Sequence, residues 1–385
     1  MQFDLVFEGG GAKGAVFVGA LQEFEARGYK PCRLVGTSAG AITAALVAAG
    51  ATADWLHAAL CERDAAGKSV FASFADVAST FEAADVKSSA IAEMLERIDL
   101  PLVPNRWESA MDQALLDGLL NFRAFRMLFS ILEKGGVYEG GAFVAWMMSK
   151  LDALDQRGPA REDPGLGVAT LQRFYDEVGA DLSILASDVD AQELLVFNHR
   201  TAPNLPVAWA VRMSMSIPMV WQEVKWREEW GLYRGRNITG HTIVDGGVLS
   251  NFPIDLITSG IAEVAEIMGD TDPLAVANLG FLIDEDLPVP GVPAKAGESG
   301  LVESIAHSRV VLQISKLMDT MMNARDRLVI ERCMKSHEVC RLPAKGYTAT
   351  EFEMSAERMV ALVSAGRAAA FAYFEERTAL EAGKG

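Results

Sequence analysis

The fold is decided by an early stretch of the chain, residues 3–50, which reads FDLVFEGGGAKGAVFVGALQEFEARGYKPCRLVGTSAGAITAALVAAG. Residues 3–8 form a short apolar run that ends in glycines, which is typical of a buried strand entering a loop. Apolar residues recur at helical spacing over 15–27, and 33–36 and 39–49 repeat the strand and helix patterns. Strand, helix, strand and helix in this order predict a parallel sheet and an α/β fold.

Later segments extend this architecture. Strands are predicted at 182–186, 193–197, 242–244 and 276–283. Residues 51–135 carry helical patterns without a convincing strand and are interpreted as a helical insertion or cap, and residues 300–385 are expected to be mostly helical. The whole chain, residues 1–385, is therefore predicted to be one catalytic domain, a three-layer α/β sandwich around a central, mostly parallel sheet.

The composition excludes several classes of protein. The chain has 385 residues, half of them apolar, so it can bury a large core. Its formal net charge of −17 at pH 7 repels phosphate backbones and argues against a nucleic-acid partner. The same charge disfavours permanent adsorption to anionic lipid, so any membrane-surface contact is expected to be transient.

Metal sites and targeting segments are not indicated. The cysteines form no CxxC pair and do not cluster with the histidines, which predicts neither a zinc site nor a disulfide framework and favours a reducing compartment. Asp188 and Asp190 lack calcium-ligand spacing and are interpreted as a turn. No transmembrane or signal-peptide pattern is visible, so a cytoplasmic location is expected, with signal-independent export left open.

The pentapeptide Gly36-Thr37-Ser38-Ala39-Gly40 matches G-x-S-x-G between a predicted strand and a predicted helix. A sharp strand-to-helix turn exposes the serine hydroxyl and leaves no room for side chains two residues away on either side. The start of the helix also directs free amides at an oxyanion formed there. Ser38 is therefore the candidate nucleophile, although Gly and Ser are also common in turns of this kind without catalytic function.

Residues 9–14, GGGAKG, fit G-x-G-x-x-G and follow the first strand. A dinucleotide site is not supported, because the next strand ends without a carboxylate. A P-loop is not supported either, since Lys13 is followed by Gly14 and Ala15. The remaining interpretations are a tight turn and an oxyanion hole, and we favour the oxyanion hole. Its candidate amides are those of Gly9, Gly10, Gly11 and Ala12.

The candidate base is Asp245, which follows an apolar run and precedes Gly246 and Gly247. An acyl hydrolase commonly places a histidine between serine and acid, but no histidine lies in a convincing loop after a late strand. His241 is the nearest, and four positions along a strand put it about 13 Å from Asp245. A direct Ser–Asp dyad is the simpler hypothesis, with a turn-forming Asp-Gly pair as the alternative for Asp245.

On these residues the chain resembles the patatin-like phospholipases. The glycine loop 9–14, the motif 36–40 and the Asp-Gly-Gly segment 245–247 occur in the order and context of that family, and so do VRMSMSIP at 211–218 and Asn251-Phe252-Pro253. The resemblance covers roughly residues 1–50 and 136–253 and is looser elsewhere. The motif glycines that carry it are Gly14, Gly36, Gly40, Gly246 and Gly247.

The resemblance implies a lipid acyl hydrolase of phospholipase A or lysophospholipase type. Ser38 attacks the ester carbonyl, Asp245 takes the proton, and water then releases the fatty acid from an acyl-serine intermediate. Neither a cofactor nor a catalytic metal is expected, and the expected partner is a phospholipid or another acyl-ester lipid. The alternatives are a short-chain carboxylesterase or acyltransferase on the same dyad, and a regulatory scaffold without activity; the sequence leaves the oligomeric state open.

Two apolar segments have a possible lipid role as well as a structural one. Residues 221–241 interleave aromatic and basic side chains, which suits lipid headgroups, but we favour a hairpin with packed aromatics. Residues 115–132 have an apolar helical pattern that could form the wall of an acyl tunnel, but an ordinary core stripe is the preferred interpretation.

Overall fold

The computed structural model describes residues 1–64, 67–74, 89, 123–155, 165–270, 275–292, 326 and 329–382. Strands alternate with helices along most of this part of the chain. The strands are β1 (Gln2–Phe7), β2 (Lys30–Thr37), β3 (Gly136–Tyr138), β4 (Asp181–Asp188), β5 (Glu193–Phe197), β6 (Met219–Trp221), β7 (Val224–Lys225), β8 (Thr242–Asp245), β9 (Val276–Pro288) and β10 (Val339–Lys345).

The helices lie between these strands and after the last of them. They are α1 (Val16–Ala26), α2 (Ala39–Ala48), α3 (Ala53–Leu60), α4 (Val70–Ser73), α5 (Arg123–Lys134), α6 (Gly141–Leu154), α7 (Leu171–Val178), α8 (Val207–Ser214), α9 (Asp255–Thr258), α10 (Ala262–Met268) and α11 (Ala356–Ala382). A 3₁₀ helix, Gly11–Ala15, leads directly into α1.

The central sheet has the strand order β10-β9-β1-β2-β4-β8-β7, and β5 pairs with β4 outside this path. The five strands from β10 to β4 run parallel to one another. Strand β8 pairs antiparallel with both β4 and β7. The predicted α/β fold with a mostly parallel sheet is confirmed, and the carboxyl ends of its parallel strands meet at one edge, where ligands bind in such folds.

Helices cover both faces of the sheet. Side chains of β1 alternate between two apolar cores: Phe3, Leu5 and Phe7 pack into the larger one, and Val6 packs into the smaller one. Helices α1, α2 and the buried Phe374 of α11 complete the larger core. The sheet is therefore the middle layer of three, as the sequence predicts.

The predicted helical insertion at 51–135 falls largely outside the described residues. Its described parts, α3, α4 and α5, are helical. The apolar segment 115–132 is described only from residue 123, where Met127 and Phe129 are buried. The division into one catalytic domain with an inserted cap stays a prediction.

The C-terminal helical part at 300–385 stays a prediction, and its described residues include one strand that the sequence pattern does not predict. Helix α11 is present, but strand β10 precedes it and pairs with β9. The strand pattern is obscured because β10 is an edge strand that contains Pro343 together with Arg341 and Lys345. Proline and charged residues are usual at sheet edges, where they limit pairing with other chains.

No helix in the described part of the chain combines the length and apolarity that a membrane span requires.

Candidate active site

The G-x-S-x-G segment forms a sharp turn between β2 and α2. Ser38 has φ 52° and ψ −119°, a conformation that L-residues adopt only when the surrounding structure enforces it. A Cβ on Gly36 would lie 2.3 Å from the carbonyl oxygen of Gly40, and one on Gly40 would lie 2.1 Å from the carbonyl oxygen of Phe7. Both motif glycines are therefore required by close backbone packing around Ser38.

Strand β4 brings Asp245 to the same edge of the sheet. Thr37, the residue before Ser38, pairs with Leu185 of β4, and Asp245 pairs with the next residue, Ala186, on the same side of that strand, because β5 pairs along the other side. Strands β2 and β8 therefore meet end to end along β4, and Ser38 and Asp245 lie next to each other where they meet.

The Asp245 carboxyl is buried beside Ser38. Burial raises its pKa to about 7, and a hydrogen bond from the Gly247 amide (2.7 Å to Oδ1) together with the Ser38 hydroxyl partly offsets this rise. The Ser38 hydroxyl lowers the pKa of the carboxyl but does not form a hydrogen bond of standard geometry with it. Oδ2 of Asp245 has no hydrogen-bond partner among the described residues. One carboxyl oxygen is therefore held by the backbone, and the other is available.

Residues 211–218 join the two sides of this site. The Ser38 amide donates to Ser214 Oγ (2.9 Å), and the Asp245 amide donates to the Ser216 carbonyl (3.0 Å). The buried Arg212 guanidinium donates to Ser216 Oγ (2.5 Å) and, through Nη2, to the carbonyls of Glu139 and Gln222. One segment thus fixes the backbone at both candidate catalytic residues. From the sequence this segment is indicated only by resemblance, although an arginine within an apolar helical pattern is a usable signal.

The predicted oxyanion loop lies against Ser38. A Cβ on Gly9 would be 3.3 Å from Ser38 Cβ, since β1 and β2 run parallel and end side by side. The Gly9 amide already donates to the Asn251 carbonyl (3.0 Å), and the Ala12 amide donates to the Ala349 carbonyl (2.8 Å). Of the predicted amides, those of Gly10 and Gly11 form no hydrogen bond within the described residues.

A second buried carboxyl, that of Glu8, lies at the start of the glycine loop. Glu8 accepts hydrogen bonds from the Ile283 amide (2.5 Å to Oε2) and from Asn251 Nδ2 (3.1 Å to Oε1). Asn251 Nδ2 also donates to the Gly9 carbonyl (3.0 Å). Burial raises the pKa of Glu8 to about 8, which the Ile283 amide and the charge of Lys13 partly oppose. Glu8 and Asn251 therefore tie the start of the glycine loop to β9.

An apolar cavity of about 330 Å³ adjoins Ser38 and the glycine loop. One face of α2 lines it through Ala39, Ile42, Thr43 and Leu46, residues that share a side of the helix. Since Leu46 lies eight residues beyond Ser38, the cavity extends about 12 Å along α2. Aromatic side chains of α4, of the turn after it, of α6 and of β6 line it further, namely Phe71, Phe74, Phe143, Trp146 and Trp221.

Among the described residues, no group of three or more His, Cys, Asp or Glu side chains could hold a metal ion. Asp188 accepts a hydrogen bond from the amide of Asp190 (3.0 Å) and lies close to His241, with 2.7 Å between Nδ1 and Oδ2. His241 precedes β8, and Asp245 ends it, so the two lie at opposite ends of that strand. His241 is thus engaged away from Ser38.

The aromatic residues of segment 221–241 are packed inside the protein. Trp226, Trp230 and Tyr233 are all buried. Strands β7 and β8, which the intervening residues connect, pair antiparallel. The structural interpretation of this segment, a hairpin with packed aromatics, is confirmed.

Comparison with known proteins identifies the family. The family model for patatin-like phospholipase matches residues 5–257, more than half of the chain. The uncharacterized protein YqhO of Bacillus subtilis (strain 168) is 27% identical over 375 residues, which cover 95% of this chain and 96% of YqhO. The probable lipid hydrolase 463L of Invertebrate iridescent virus 6 is 23% identical over 87 residues, 23% of this chain and 26% of that protein.

Among solved structures, VipD from Legionella pneumophila matches with a TM-score of 0.44 at 18% identity over 97% of this chain and 67% of VipD. ExoU from Pseudomonas aeruginosa has a TM-score of 0.39 at 18% identity, and the similarity covers 98% of this chain but about half of ExoU (52%). By the match of the family model, the chain belongs to the patatin-like phospholipase family, a family of lipid acyl hydrolases.

Proposed function

We propose that this protein hydrolyses the fatty-acyl esters of lipids, as a phospholipase A or lysophospholipase, through a Ser38–Asp245 dyad. The observation that carries the proposal is the apolar cavity that adjoins Ser38, on the edge of the sheet where a buried carboxyl faces the same serine. An extended chain covers about 1.2 Å per bond, so about 12 Å of cavity along α2 accommodates roughly ten bonds of an acyl chain. This length favours a lipid over an acetyl ester.

In the first half-reaction Ser38 Oγ attacks the ester carbonyl carbon and passes its proton to Asp245. Oδ2 is the oxygen assigned to this proton, because Oδ1 is occupied by the Gly247 amide. A carboxyl whose pKa is close to the working pH is a far better base for a hydroxyl than an exposed aspartate. Collapse of the tetrahedral intermediate breaks the bond to the alcohol, which leaves with the proton from Asp245.

The developing oxyanion needs donors that are not already bonded. We assign this role to the amides of Gly10 and Gly11 and to the first amide of α2, that of Ala39, because helix-starting amides lack intrahelical acceptors. The Gly9 and Ala12 amides hold the loop in place instead, through Asn251 and Ala349. Of the four predicted amides, those of Gly10 and Gly11 are thus assigned to the oxyanion, and those of Gly9 and Ala12 to holding the loop in position.

In the second half-reaction water attacks the acyl-serine carbonyl and gives a proton to Asp245. The bond between the acyl carbon and Ser38 Oγ breaks, Oγ recovers the proton from Asp245, and the fatty acid is released. Both half-reactions use the same base and the same amides, so the site returns to its starting state.

The test is fatty-acid release from phosphatidylcholine vesicles, together with covalent labelling by a fluorophosphonate. The wild-type protein is expected to release fatty acid and to be labelled on Ser38, and Ser38→Ala is expected to lose both activities.

Ser364→Ala is the matched control, since Ser364 is an exposed serine of α11 that does not line the cavity. It should retain labelling and release. Fatty-acid release that survives in Ser38→Ala, or a wild-type protein that neither labels nor hydrolyses any acyl ester, would refute the proposed function.

A further inference from the structure

The cavity has one side that lies outside the matched family region. Residues 346–359, here called the C-terminal wall, connect β10 to the start of α11. The family model ends at residue 257, and the motifs that indicate the activity all lie before that point. The C-terminal wall nevertheless contacts both the glycine loop and the cavity.

The contact with the glycine loop is made by the backbone. The Ala349 carbonyl accepts a hydrogen bond from the Ala12 amide at 2.8 Å. Gly11, which has φ +54°, packs so closely on the same carbonyl that a Cβ there would lie 2.2 Å from the Ala349 oxygen. The position of Ala349 therefore controls the loop backbone next to Gly10 and Gly11, whose amides are the two loop amides assigned to the oxyanion.

The contact with the cavity is made by side chains. Phe352, Met354 and Met359 line the cavity together with the aromatic residues described above. Beyond Phe352, Glu353 reaches the amide of Ser69 in a long contact of 3.5 Å. The C-terminal wall thus spans the cavity from the glycine loop to the loop before α4.

A buried ion pair holds the C-terminal wall in this conformation. Arg358 donates to both carboxylate oxygens of Glu351, at 2.5 Å and 3.0 Å, and to the Gly346 carbonyl at 2.7 Å. The guanidinium also lies 4.2 Å from the centre of the Tyr347 ring, whose hydroxyl donates to the Arg358 carbonyl. Both charged side chains are almost completely buried (4% and 2% exposed). The bidentate geometry of the pair adds geometric specificity, so the contacts restrain the backbone between Gly346 and Arg358.

Resting on the function proposed above, we propose that the C-terminal wall is the specificity-determining element of the acyl site. Phe352 contacts the acyl chain and sets the preference for its length. Glu351 and Arg358 are positioning residues that act through the wall, since they fix Phe352 toward the cavity and the Ala349 carbonyl against Ala12.

The first test compares Phe352→Ala with Phe371→Ala, a matched change at a half-exposed position of α11 that does not line the cavity. The measured quantity is the ratio of kcat/KM for nitrophenyl decanoate to kcat/KM for nitrophenyl acetate. We expect Phe352→Ala to lower this ratio about tenfold or more, because the longer chain loses an aromatic contact that the acetyl group does not reach. Phe371→Ala should leave the ratio unchanged, and an unchanged or higher ratio in Phe352→Ala would overturn the proposal.

A binding experiment separates this proposal from the proposed function. Decanoate is titrated calorimetrically into Ser38→Ala and into the Ser38→Ala, Phe352→Ala double variant. Binding that weakens about tenfold on loss of Phe352 supports the C-terminal wall even if the wild-type protein hydrolyses nothing. Equal decanoate affinities overturn the proposal even if Ser38-dependent hydrolysis is found.

The positioning pair is tested by Glu351→Gln, with Glu376→Gln on the exposed side of α11 as its control. The readout is kcat for nitrophenyl acetate per fluorophosphonate-labelled Ser38, which loss of folded protein alone would not change. We expect about a tenfold fall for Glu351→Gln, since displacement of the glycine loop misaligns the oxyanion amides, and no change for Glu376→Gln. An unchanged kcat per labelled site would show that the pair only supports the fold.

Discussion

Two buried carboxyl groups lie at the same edge of the sheet and have different environments. Glu8 follows β1, and Asp245 ends β8. Burial raises the pKa of both, to about 8 for Glu8 and to about 7 for Asp245. Both oxygens of Glu8 accept hydrogen bonds, from Ile283 and Asn251, whereas Oδ2 of Asp245 has no partner within the described residues. A raised pKa alone therefore does not identify a base, and an unoccupied oxygen beside a nucleophile is the distinguishing feature.

The contrast between the carboxyls of Glu8 and Asp245 is tested most strongly by Asp245→Asn. An amide cannot take the Ser38 proton, so kcat/KM for an acyl ester should fall about 10³-fold, within the range observed for loss of a general base. The fold should be retained, because Asn keeps the shape and the acceptor for the Gly247 amide. The measurement is steady-state hydrolysis of a nitrophenyl ester, with circular dichroism as the check on folding. Near wild-type turnover in Asp245→Asn would show that the unoccupied oxygen has no catalytic role.

The second prediction concerns pH. Asp245 is active as the carboxylate, and its raised pKa of about 7 means that the protonated, inactive form dominates in acid. The kcat/KM of the wild-type protein should therefore fall about tenfold per pH unit below about pH 7 and level off above it. The profile is measured with a substrate that does not itself titrate. An acid limb centred near the ordinary aspartate pKa would mean that Asp245 is not the titrating base.

The smallest effect is expected for Glu8→Gln. Activity should stay within about threefold of wild type, because the carboxyl of Glu8 is bonded to the loop and does not face the ester. Its effect should appear in stability instead. The folded-state pKa of Glu8 is raised from 4.5 to about 8, so ionisation of Glu8 destabilises the folded protein as the pH rises through that window.

Glutamine cannot ionise, so the Tm of Glu8→Gln relative to wild type should become more favourable as the pH rises from about 4.5 to about 8, and should level off above that. Thermal melts of both proteins across this range measure the difference. A loss of activity as large as that of Asp245→Asn would remove the distinction between the two carboxyls.

Residues that act through local geometry were predictable from the sequence. The elbow at Ser38 and its two glycines are contiguous, and the backbone contacts that demand glycine occur within the motif or with the neighbouring strand. Asp245 was assigned by elimination of the histidines and by resemblance, and the structure brings it beside Ser38 through β4. The glycine loop and the Ser38 motif follow parallel strands, which end at one edge of the sheet, whereas Asp245 reaches this edge at the end of the antiparallel strand β8.

Residues that act through distant contacts were not predictable. Nothing in the sequence near Ala12 indicates that its amide is bonded to Ala349, and the partnership of Glu351 with Arg358 is one of many acid–base spacings in the chain. Strand β10 was missed for a related reason, since an edge strand with Pro343 and charged residues lacks the apolar alternation of a buried strand. Such features depend on the tertiary fold more than on local preference.

The position of β9 has a consequence for how the protein folds. This strand is formed by Val276–Pro288, yet it lies next to β1, which starts at Gln2. Pairings of such high sequence separation close large loops and are formed slowly. During synthesis on the ribosome, β1 exposes an unpaired, strongly apolar edge until residue 288 has emerged, and this interval is when the nascent chain is most prone to aggregation.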